Sequence, residues 1–239
     1  MSTARSDRSE AALLVDGIAV PVRVLRSARA RRYRLTLDAR TGGVRLSLPA
    51  RANLARALGW AQEQAAWIGA QMAATPPSLH LCDGAVFPLE GQDVRILWAP
   101  DGKRRVEPDG DVLWVGGPQD AVGQRVLRWL KARAKQILTA ETEMLASSEA
   151  LPLTSVAIGD PRSRWGSCAS SGAIRYSWRL ILAPPHVRRS TVAHEVAHLI
   201  HMDHSPAFHA AHARLLGADP RPARAWLKAH GAGLHSIGC

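Results

Sequence analysis

The front half of the chain alternates apolar and polar residues in a pattern that predicts short β-strands. Every second residue is apolar from Tyr33 to Leu37 and again from Val44 to Leu48. A period of two is typical of a strand with one buried face. Because Thr41-Gly42-Gly43 lies between the two runs and favours a turn, we expect a hairpin there. Three further strand-like runs, separated by glycines, predict a small antiparallel meander over residues 85–89, 94–98 and 112–115.

Other stretches have the apolar period of an α-helix. A stripe from Arg51 to Ala73 predicts one helix, and a stripe from Gln119 to Ser147 predicts a longer one. Two strands, residues 155–158 and 174–182, are expected after the long helix. Pro184-Pro185 then opens another helix, because proline is favoured in the first helical turn.

These elements predict an α+β protein in two parts. Gly116-Gly117-Pro118 is the best candidate for the boundary between them. We expect a β-rich N-terminal subdomain with one helix over residues 11–117 and a second subdomain that contains more helix over residues 118–232. Residues 1–10 are polar and are predicted to form a disordered tail, and residues 233–239 a second tail.

Composition favours a cytoplasmic protein. No apolar run approaches the roughly 18 residues that a membrane-spanning helix needs, and the polar start lacks the apolar core of a secretory signal. The three cysteines, Cys82, Cys168 and Cys239, are widely spaced and form no CxxC pair. This pattern is typical of a reducing compartment, so no disulfide framework is expected.

The chain is strongly basic, with a formal net charge of +11. Such a balance favours contact with nucleic acid, an acidic protein or another anionic surface. An ordinary solvated surface in an arginine-rich protein would look the same, so both interpretations stay open. The densest basic cluster comprises Arg23, Arg26, Arg29, Arg31, Arg32 and Arg34.

The helix that opens at Pro184-Pro185 contains an HExxH motif, His194 to His198. Residues four apart lie on one helical face about 6 Å apart along the axis, so both imidazoles can reach one ion. Zinc suits this arrangement, since a catalytic zinc site has three protein ligands and leaves its fourth position to water or substrate. Glu195 would lie beside that position and could act as the general base.

The third ligand has to come from outside the HExxH motif. Glu195 is the last glutamate in the chain, which excludes a downstream glutamate ligand of the thermolysin type. Asp203 and Asp219 remain candidates, but His204 is favoured because it follows His198 by six residues. That spacing matches the metzincins, yet their glycine is His201 here and no later methionine could form a Met-turn.

An ordered set of motifs resembles the YgjP-like metallopeptidase family, which is related to the WLM and SprT-like zinc proteases. The motifs are SRWGSC at residues 163–168, SWRL at 177–180, HExxH at 194–198 and His204-Ser205. A looser match of the front half extends the resemblance over most of residues 20–230. It implies a zincin fold, with a small sheet packed on the HExxH helix. It also implies His194, His198 and His204 as zinc ligands and Glu195 as catalytic base. The family's aromatic after the phenylalanine of HSxxF is His209 here.

Several neighbouring residues are candidates for binding substrate. Arg164 could bind a substrate carboxylate or stabilise developing negative charge. Tyr176 and Arg179, on the predicted strand 174–182, could stabilise the oxyanion of the transition state, although a buried aromatic is the commoner role for Tyr176. Trp165 is expected to anchor its loop. Cys168 as a nucleophile paired with a histidine is a weaker alternative.

The sequence therefore predicts a zinc endopeptidase whose substrate lies extended along a sheet edge next to the helix. One alternative is a zinc-dependent endoribonuclease. The spacing of the three histidines resembles the YbeY-type enzymes, but those have glycine in place of Glu195. Another alternative is a non-catalytic zinc protein that binds nucleic acid through the arginine cluster. An open metal position beside a base argues against the latter.

Overall fold

A computed structural model describes residues 10–38, 43–74 and 77–238 of the chain. The chain divides into two compact units, Met1–Ser78 and Leu79–Cys239. Both contain helices and small sheets, which confirms the mixed α and β class. Residues 1–9 of the predicted N-terminal tail lie outside the described residues.

The first unit is built on a four-stranded sheet in the order β1-β2-β4-β3. Its strands are Glu10–Val15 (β1), Ile18–Ser27 (β2), Arg34–Asp38 (β3) and Gly43–Pro49 (β4). β2 and β4 run parallel, and the other two pairs are antiparallel. Leu35 lies opposite Leu46, so the strands of the predicted hairpin are confirmed. Residues 39–42, which include part of its predicted turn, lie outside the described residues.

Two helices cover the apolar face of this sheet, Leu54–Glu63 (α1) and Ala65–Ala74 (α2). The prediction of a single helix was wrong, since the chain breaks at Gln64, whose N–H turns back to the carbonyl of Ala61. Periodicity could not reveal the break, because Ala61 before it and Ile68 after it are both fully buried in one core.

The second unit begins with another four-stranded sheet, in the order β5-β6-β8-β7. Its strands are Val86–Leu89 (β5), Gln92–Ala99 (β6), Val106–Asp109 (β7) and Val112–Gly116 (β8). β6 and β8 are parallel, so the predicted antiparallel meander was wrong. The unpredicted strand β7 lies at the edge and is largely exposed. An edge strand with Pro108 lacks the apolar alternation on which sequence prediction depends.

The two four-stranded sheets have the same topology. In each sheet the first two strands form an antiparallel hairpin, and the second strand pairs in parallel with the fourth. The third strand lies at the edge, antiparallel to the fourth. The first hairpin of each turns through two residues with positive φ, Asp16-Gly17 in one sheet and Glu90-Gly91 in the other. This is the backbone of a type I′ turn, so one structural arrangement occurs twice in the chain.

The remainder of the second unit consists of helices and a three-stranded sheet in the order β10-β11-β9. The elements are Val122–Ser148 (α3), Ser155–Gly159 (β9), Gly166–Cys168 (β10), Ala173–Ser177 (β11), Pro185–Ala197 (α4), Pro206–Leu216 (α5) and Arg221–His235 (α6). The predicted long helix and the start of α4 are confirmed. The predicted strand 174–182 ends at Ser177, whose hydroxyl accepts a bond from the N–H of Arg179 and begins a 3-10 helix.

The boundary between the units falls earlier than the predicted one at residue 117. Side chains of the β5–β8 sheet, such as Ile96 and Leu113, belong to the same core as Leu130 of α3 and Val192 of α4. A sheet that shares its apolar core with helices is part of their unit. The predicted break at Gly116-Gly117-Pro118 is therefore a connection within the second unit.

The C-terminal residues pack against the second unit instead of forming the predicted tail. Ile237 is buried, and the N–H of Gly238 donates to the carbonyl of Leu79. Arg179 donates from Nη1 to the carbonyls of Leu234 and Ile237, at 2.7 and 2.6 Å. Cys239 lies outside the described residues. Among the described helices, none has the length and apolar character needed to cross a membrane.

A buried ion network fixes the HExxH helix to its neighbours. Arg188 of α4, whose side chain is 4% exposed, donates to Glu141 of α3 at 2.8 Å and to Glu90 at 3.2 Å. Glu90 lies in the β5–β6 turn and also pairs with Arg133 of α3. Breaking a buried pair is costly because it leaves an uncompensated charge. The network therefore sets where α4 lies relative to the sheet and to α3.

We expect Arg188→Ala to lower the free energy of unfolding of the second unit by about 3 kcal/mol or more, because Glu141 loses its buried partner. The exposed pair between Arg214 and Glu149 is the control, and Arg214→Ala should cost less than about 1 kcal/mol. Urea denaturation followed by tryptophan fluorescence measures both. Equal losses for the two variants would contradict a structural role for the network.

Candidate metal centre

Two helices and the loop between them bring three histidines together. His194 lies in the last turn of α4, and His198 caps that helix with helical backbone angles. His204 lies in the loop before α5. The hydroxyl of Ser205 accepts a bond from the N–H of Phe208 and Pro206 begins α5, as expected from the preference of serine for the N-cap and of proline for the first helical turn. The turn between the helices directs His204 back towards α4.

The three imidazoles fit a single metal ion. One nitrogen of each of His194, His198 and His204 lies within 4.8 Å of the others. The Nε2 atoms of His194 and His204 are 3.3 Å apart. Zinc–nitrogen bonds of 2.0–2.1 Å in a tetrahedron place ligand nitrogens roughly 3.3 Å apart. The His194–His204 pair therefore has the spacing that a tetrahedral ion requires, and the nitrogen of His198 lies within 4.8 Å of both.

The two aspartates that the sequence left open as ligands have other partners. Asp203 accepts a hydrogen bond from the N–H of Ser205 at 3.3 Å, and Asp219 accepts one from the N–H of Arg221 at 2.9 Å. Each carboxylate therefore stabilises a turn before a helix. Neither belongs to the convergent group formed by the histidines.

The hydrogen bond of His198 defines which of its nitrogens can bind a metal. Its Nδ1 lies 3.0 Å from the backbone carbonyl oxygen of His201. Because a carbonyl only accepts, Nδ1 carries the proton and donates, and Nε2 keeps its lone pair. Metal-binding histidines commonly hold their other nitrogen in this way. His201 thus contributes its backbone, while its imidazole is not one of the convergent three.

Phe208 forms the apolar floor beneath the histidines. It is fully buried, and its ring centroid lies 4.9, 4.5 and 4.8 Å from those of His194, His198 and His204. Burial lowers the pKa of His194 to about 3, and the neighbouring histidines add to the decrease. The ring is therefore neutral at physiological pH, which is the form that binds a metal ion.

Glu195 lies beside this group, packed against the backbone of β10. It is 5% exposed, and a Cβ placed on Gly166 would lie only 2.6 Å from its Cγ. Burial raises the pKa of Glu195 to about 7, while the nearby Arg164 acts in the opposite direction. A carboxyl group with a pKa near neutrality can both take up and release a proton under physiological conditions.

A cavity of about 600 Å³ opens next to the histidines and Glu195. Its walls come from the SRWGSC segment, α4, α5 and the first turns of α6. The lining residues are Ser163, Arg164, Trp165, Gly166, Ser190, Thr191, His194, Glu195, His204, His209, His212, Pro220, Arg221, Ala223, Arg224 and Leu227. The contribution of α6 was not predicted, since its residues follow the motifs without any recognisable spacing.

Of the three predicted substrate-binding residues, only Arg164 lines the cavity. Tyr176 is fully buried, and its hydroxyl lies 3.0 Å from that of Thr142 on α3. Arg179 is 4% exposed, and it donates to Asp160 and to two carbonyls near the C-terminus. The donors of Arg179 are thus engaged in holding the C-terminal residues. The structure brings neither Tyr176 nor Arg179 to the cavity wall.

Two further histidines, His209 and His212 of α5, also line the cavity. His212 is buried, with its Nε2 3.0 Å from the carbonyl oxygen of Ser190 and its ring 5.1 Å from that of His194. It therefore packs behind a proposed ligand and connects α5 to α4. Neither residue belongs to the convergent group.

The SRWGSC segment is held by aromatic packing. Trp165 stacks on His235 of α6 with ring centroids 4.8 Å apart, and Gly231 leaves the room that the indole occupies. This contact agrees with an anchoring role for Trp165. Burial raises the pKa of Cys168 to about 11, and Glu195 adds to the increase. The thiol therefore stays protonated, which argues against Cys168 as a nucleophile.

Comparison with known proteins identifies one family. A family model described as "YgjP-like, metallopeptidase domain" matches residues 31–230, and the resemblance found in the sequence is thereby confirmed. No curated protein and no solved structure matches the chain. A metallopeptidase family implies a bound metal ion, and the three convergent imidazoles could hold one.

We expect Gly166→Ala to displace the Glu195 carboxylate while leaving the three histidines in place. Gly166 does not have a positive φ, so alanine is compatible with its backbone, but the added Cβ meets Glu195. Hydrolysis of an unfolded protein substrate should fall about 100-fold, because a displacement of about 1 Å has effects of that size. Metal content should not change.

Gly159→Ala is the matched control, because its Cβ would meet Arg175 at an ordinary 3.6 Å. It should leave both hydrolysis and metal content unchanged. A fully active Gly166→Ala variant would show that the position of Glu195 against β10 is unimportant.

Proposed function

The chain belongs to the YgjP-like metallopeptidase family, and on this premise we propose that it is a zinc-dependent peptidase. In this proposal His194, His198 and His204 hold the metal ion and Glu195 is the general base. The observation that carries the proposal is the convergence of three imidazole nitrogens beside a buried carboxylate in one cavity. Three histidines, with the fourth position left to water or substrate, are the ligand set of a catalytic zinc site.

Different residues have different roles in the proposed hydrolysis of a peptide bond. A zinc ion held by His194, His198 and His204 would supply a Lewis acid for the peptide carbonyl and would lower the pKa of water. Glu195 takes the proton from the attacking water and passes it to the leaving amine, for which a raised pKa is well suited. Arg164 lines the cavity near Glu195 and supplies positive charge for the developing oxyanion.

The edge of the three-stranded sheet offers a place for an extended substrate. β10 pairs with β11 on one side only, and Gly166 of β10 lines the cavity next to Glu195. An extended peptide can add to an exposed strand edge through main-chain hydrogen bonds. In this arrangement the peptide bond lies next to the HExxH helix, as in the zincin-like fold that we propose for this unit.

Glu195 favours this proposal over a zinc-dependent endoribonuclease of the YbeY type, which has glycine at that position. The six arginines of the basic cluster, Arg23, Arg26, Arg29, Arg31, Arg32 and Arg34, are all exposed on the first unit. Contact of that surface with nucleic acid stays a prediction from charge. It is compatible with either activity, because the metal centre lies entirely within the second unit.

We expect Glu195→Gln to keep zinc but to lower hydrolysis of an unfolded protein by about 100-fold or more, the usual contribution of a general base. Glutamine preserves the size of the side chain and cannot accept the proton. Metal content by elemental analysis and turnover of the same samples provide the test. An active Glu195→Gln enzyme would contradict the general-base role, and wild type that hydrolyses RNA alone would favour the endoribonuclease.

Loss of a residue that hydrogen-bonds to a metal ligand weakens metal binding by about 10- to 100-fold. Because His204 is itself a proposed ligand, we expect His204→Ala to weaken zinc binding by at least about 100-fold. His186→Ala is the control, because His186 is exposed in the first turn of α4 and does not line the cavity. It should retain one zinc per chain with wild-type affinity. Competition with a metal chelator measures both affinities. Equal affinities of the two variants would remove His204 from the metal site.

A further inference from the structure

The cavity beside the metal centre is basic. Among the described residues that line it, three are arginines, Arg164, Arg221 and Arg224, and Glu195 is the single acidic residue. Glu195 is buried and is assigned to catalysis under the proposed function. The part of the cavity that meets the substrate is therefore positively charged. Such a surface attracts and orients negatively charged groups.

Two of these arginines come from the first turns of α6. Arg221 and Arg224 are three residues apart and thus lie on one helical face, which continues with Leu227. The N-terminal end of a helix has a partial positive charge, which disfavours cations there. α6 has no acidic residue in its first turn. The two guanidinium groups are therefore in an unfavourable place for helix stability, which is expected where the charge serves a ligand.

The charges on this wall are only partly neutralised within the second unit. Arg221 pairs with Asp219, which precedes α6 and does not line the cavity. Arg224 has no ion pair with any described residue, and its side chain is exposed. Arg164 is also exposed and has no ion pair with a described residue. A carboxylate in the cavity would supply the missing partner for Arg224.

We propose that the cavity selects peptide substrates that have a carboxylate close to the cleaved bond. This inference rests on the proposed peptidase function and names its substrate class. The carboxylate can belong to an aspartate or glutamate side chain or to the C-terminus of the peptide, since both present the same two oxygens to a guanidinium group. Each exposed arginine–carboxylate pair should raise kcat/KM for the charged peptide by a factor of about two to five. A carboxylate that pairs with Arg224 and also with the exposed Arg221 gives a preference of about tenfold.

Matched peptides test the proposal. One pair contains glutamate or glutamine near the cleaved bond, with both ends blocked, and a second pair has a free or an amidated C-terminus. For wild type, kcat/KM should be about tenfold higher for the charged member of at least one pair, and the pair that responds identifies the source of the carboxylate. The preference should decrease as salt is added, because ions screen exposed charges.

Arg224→Gln and Lys228→Gln form a matched pair of variants. Both remove one positive charge from α6, but Lys228 is exposed and does not line the cavity. Arg224→Gln should reduce the ratio of kcat/KM between charged and neutral peptides about threefold, and Lys228→Gln should leave it unchanged. Equal effects of the two variants would overturn the assignment to the cavity and indicate a general effect of net charge.

Two results with wild type distinguish the substrate class from the peptidase function. Wild type that cleaves charged and neutral peptides at the same rate would overturn the substrate class while leaving the peptidase in place. Wild type that cleaves no peptide when loaded with zinc would overturn the peptidase function, and the substrate class with it.

Discussion

Phe208 is the shared neighbour around which the three histidines assemble. α4 supplies His194 and His198, and the loop before α5 supplies His204, so that the rings reach one point only if the two helices stay in register. The fully buried phenylalanine ring contacts all three imidazoles and thereby fixes that register. Burial also keeps the His194 ring neutral, so the packing of the helices supports the ability of this residue to bind a metal ion.

The rest of the second unit holds α4 in the position that this assembly requires. Arg188 ties the helix to Glu141 and Glu90 in a largely buried network. About two turns further along α4, Gly166 of β10 lets the strand approach Glu195 closely, which leaves the carboxyl group buried beside the cavity. Arg179 connects the 3-10 helix to the C-terminal residues that follow α6. The family motifs SRWGSC, SWRL and HExxH are thus distant in sequence but adjacent in the fold.

Local patterns in the sequence predicted the elements that position the metal centre, whereas long-range pairing could not be derived. The Pro185 start of α4 and the Ser205 cap of α5 follow from residue preferences within one turn. Parallel pairing of β6 with β8 and the edge position of β7 depend on partners distant along the chain. Tyr176 and Arg179 suit an oxyanion site by residue type alone, but their burial depends on the packing of α3 and α6. The basic wall from α6 has no motif, so only the structure reveals it.

The proposed metal centre requires three imidazoles to share one ion beside Glu195, and crystals of the zinc-loaded protein test this most directly. Anomalous scattering at the zinc absorption edge locates the ion independently of any assumption about its ligands. We expect one anomalous peak per chain, about 2.0–2.1 Å from a nitrogen of each of His194, His198 and His204. A peak elsewhere, or an ion bound with the His204 side chain turned away from it, would contradict the proposed metal centre.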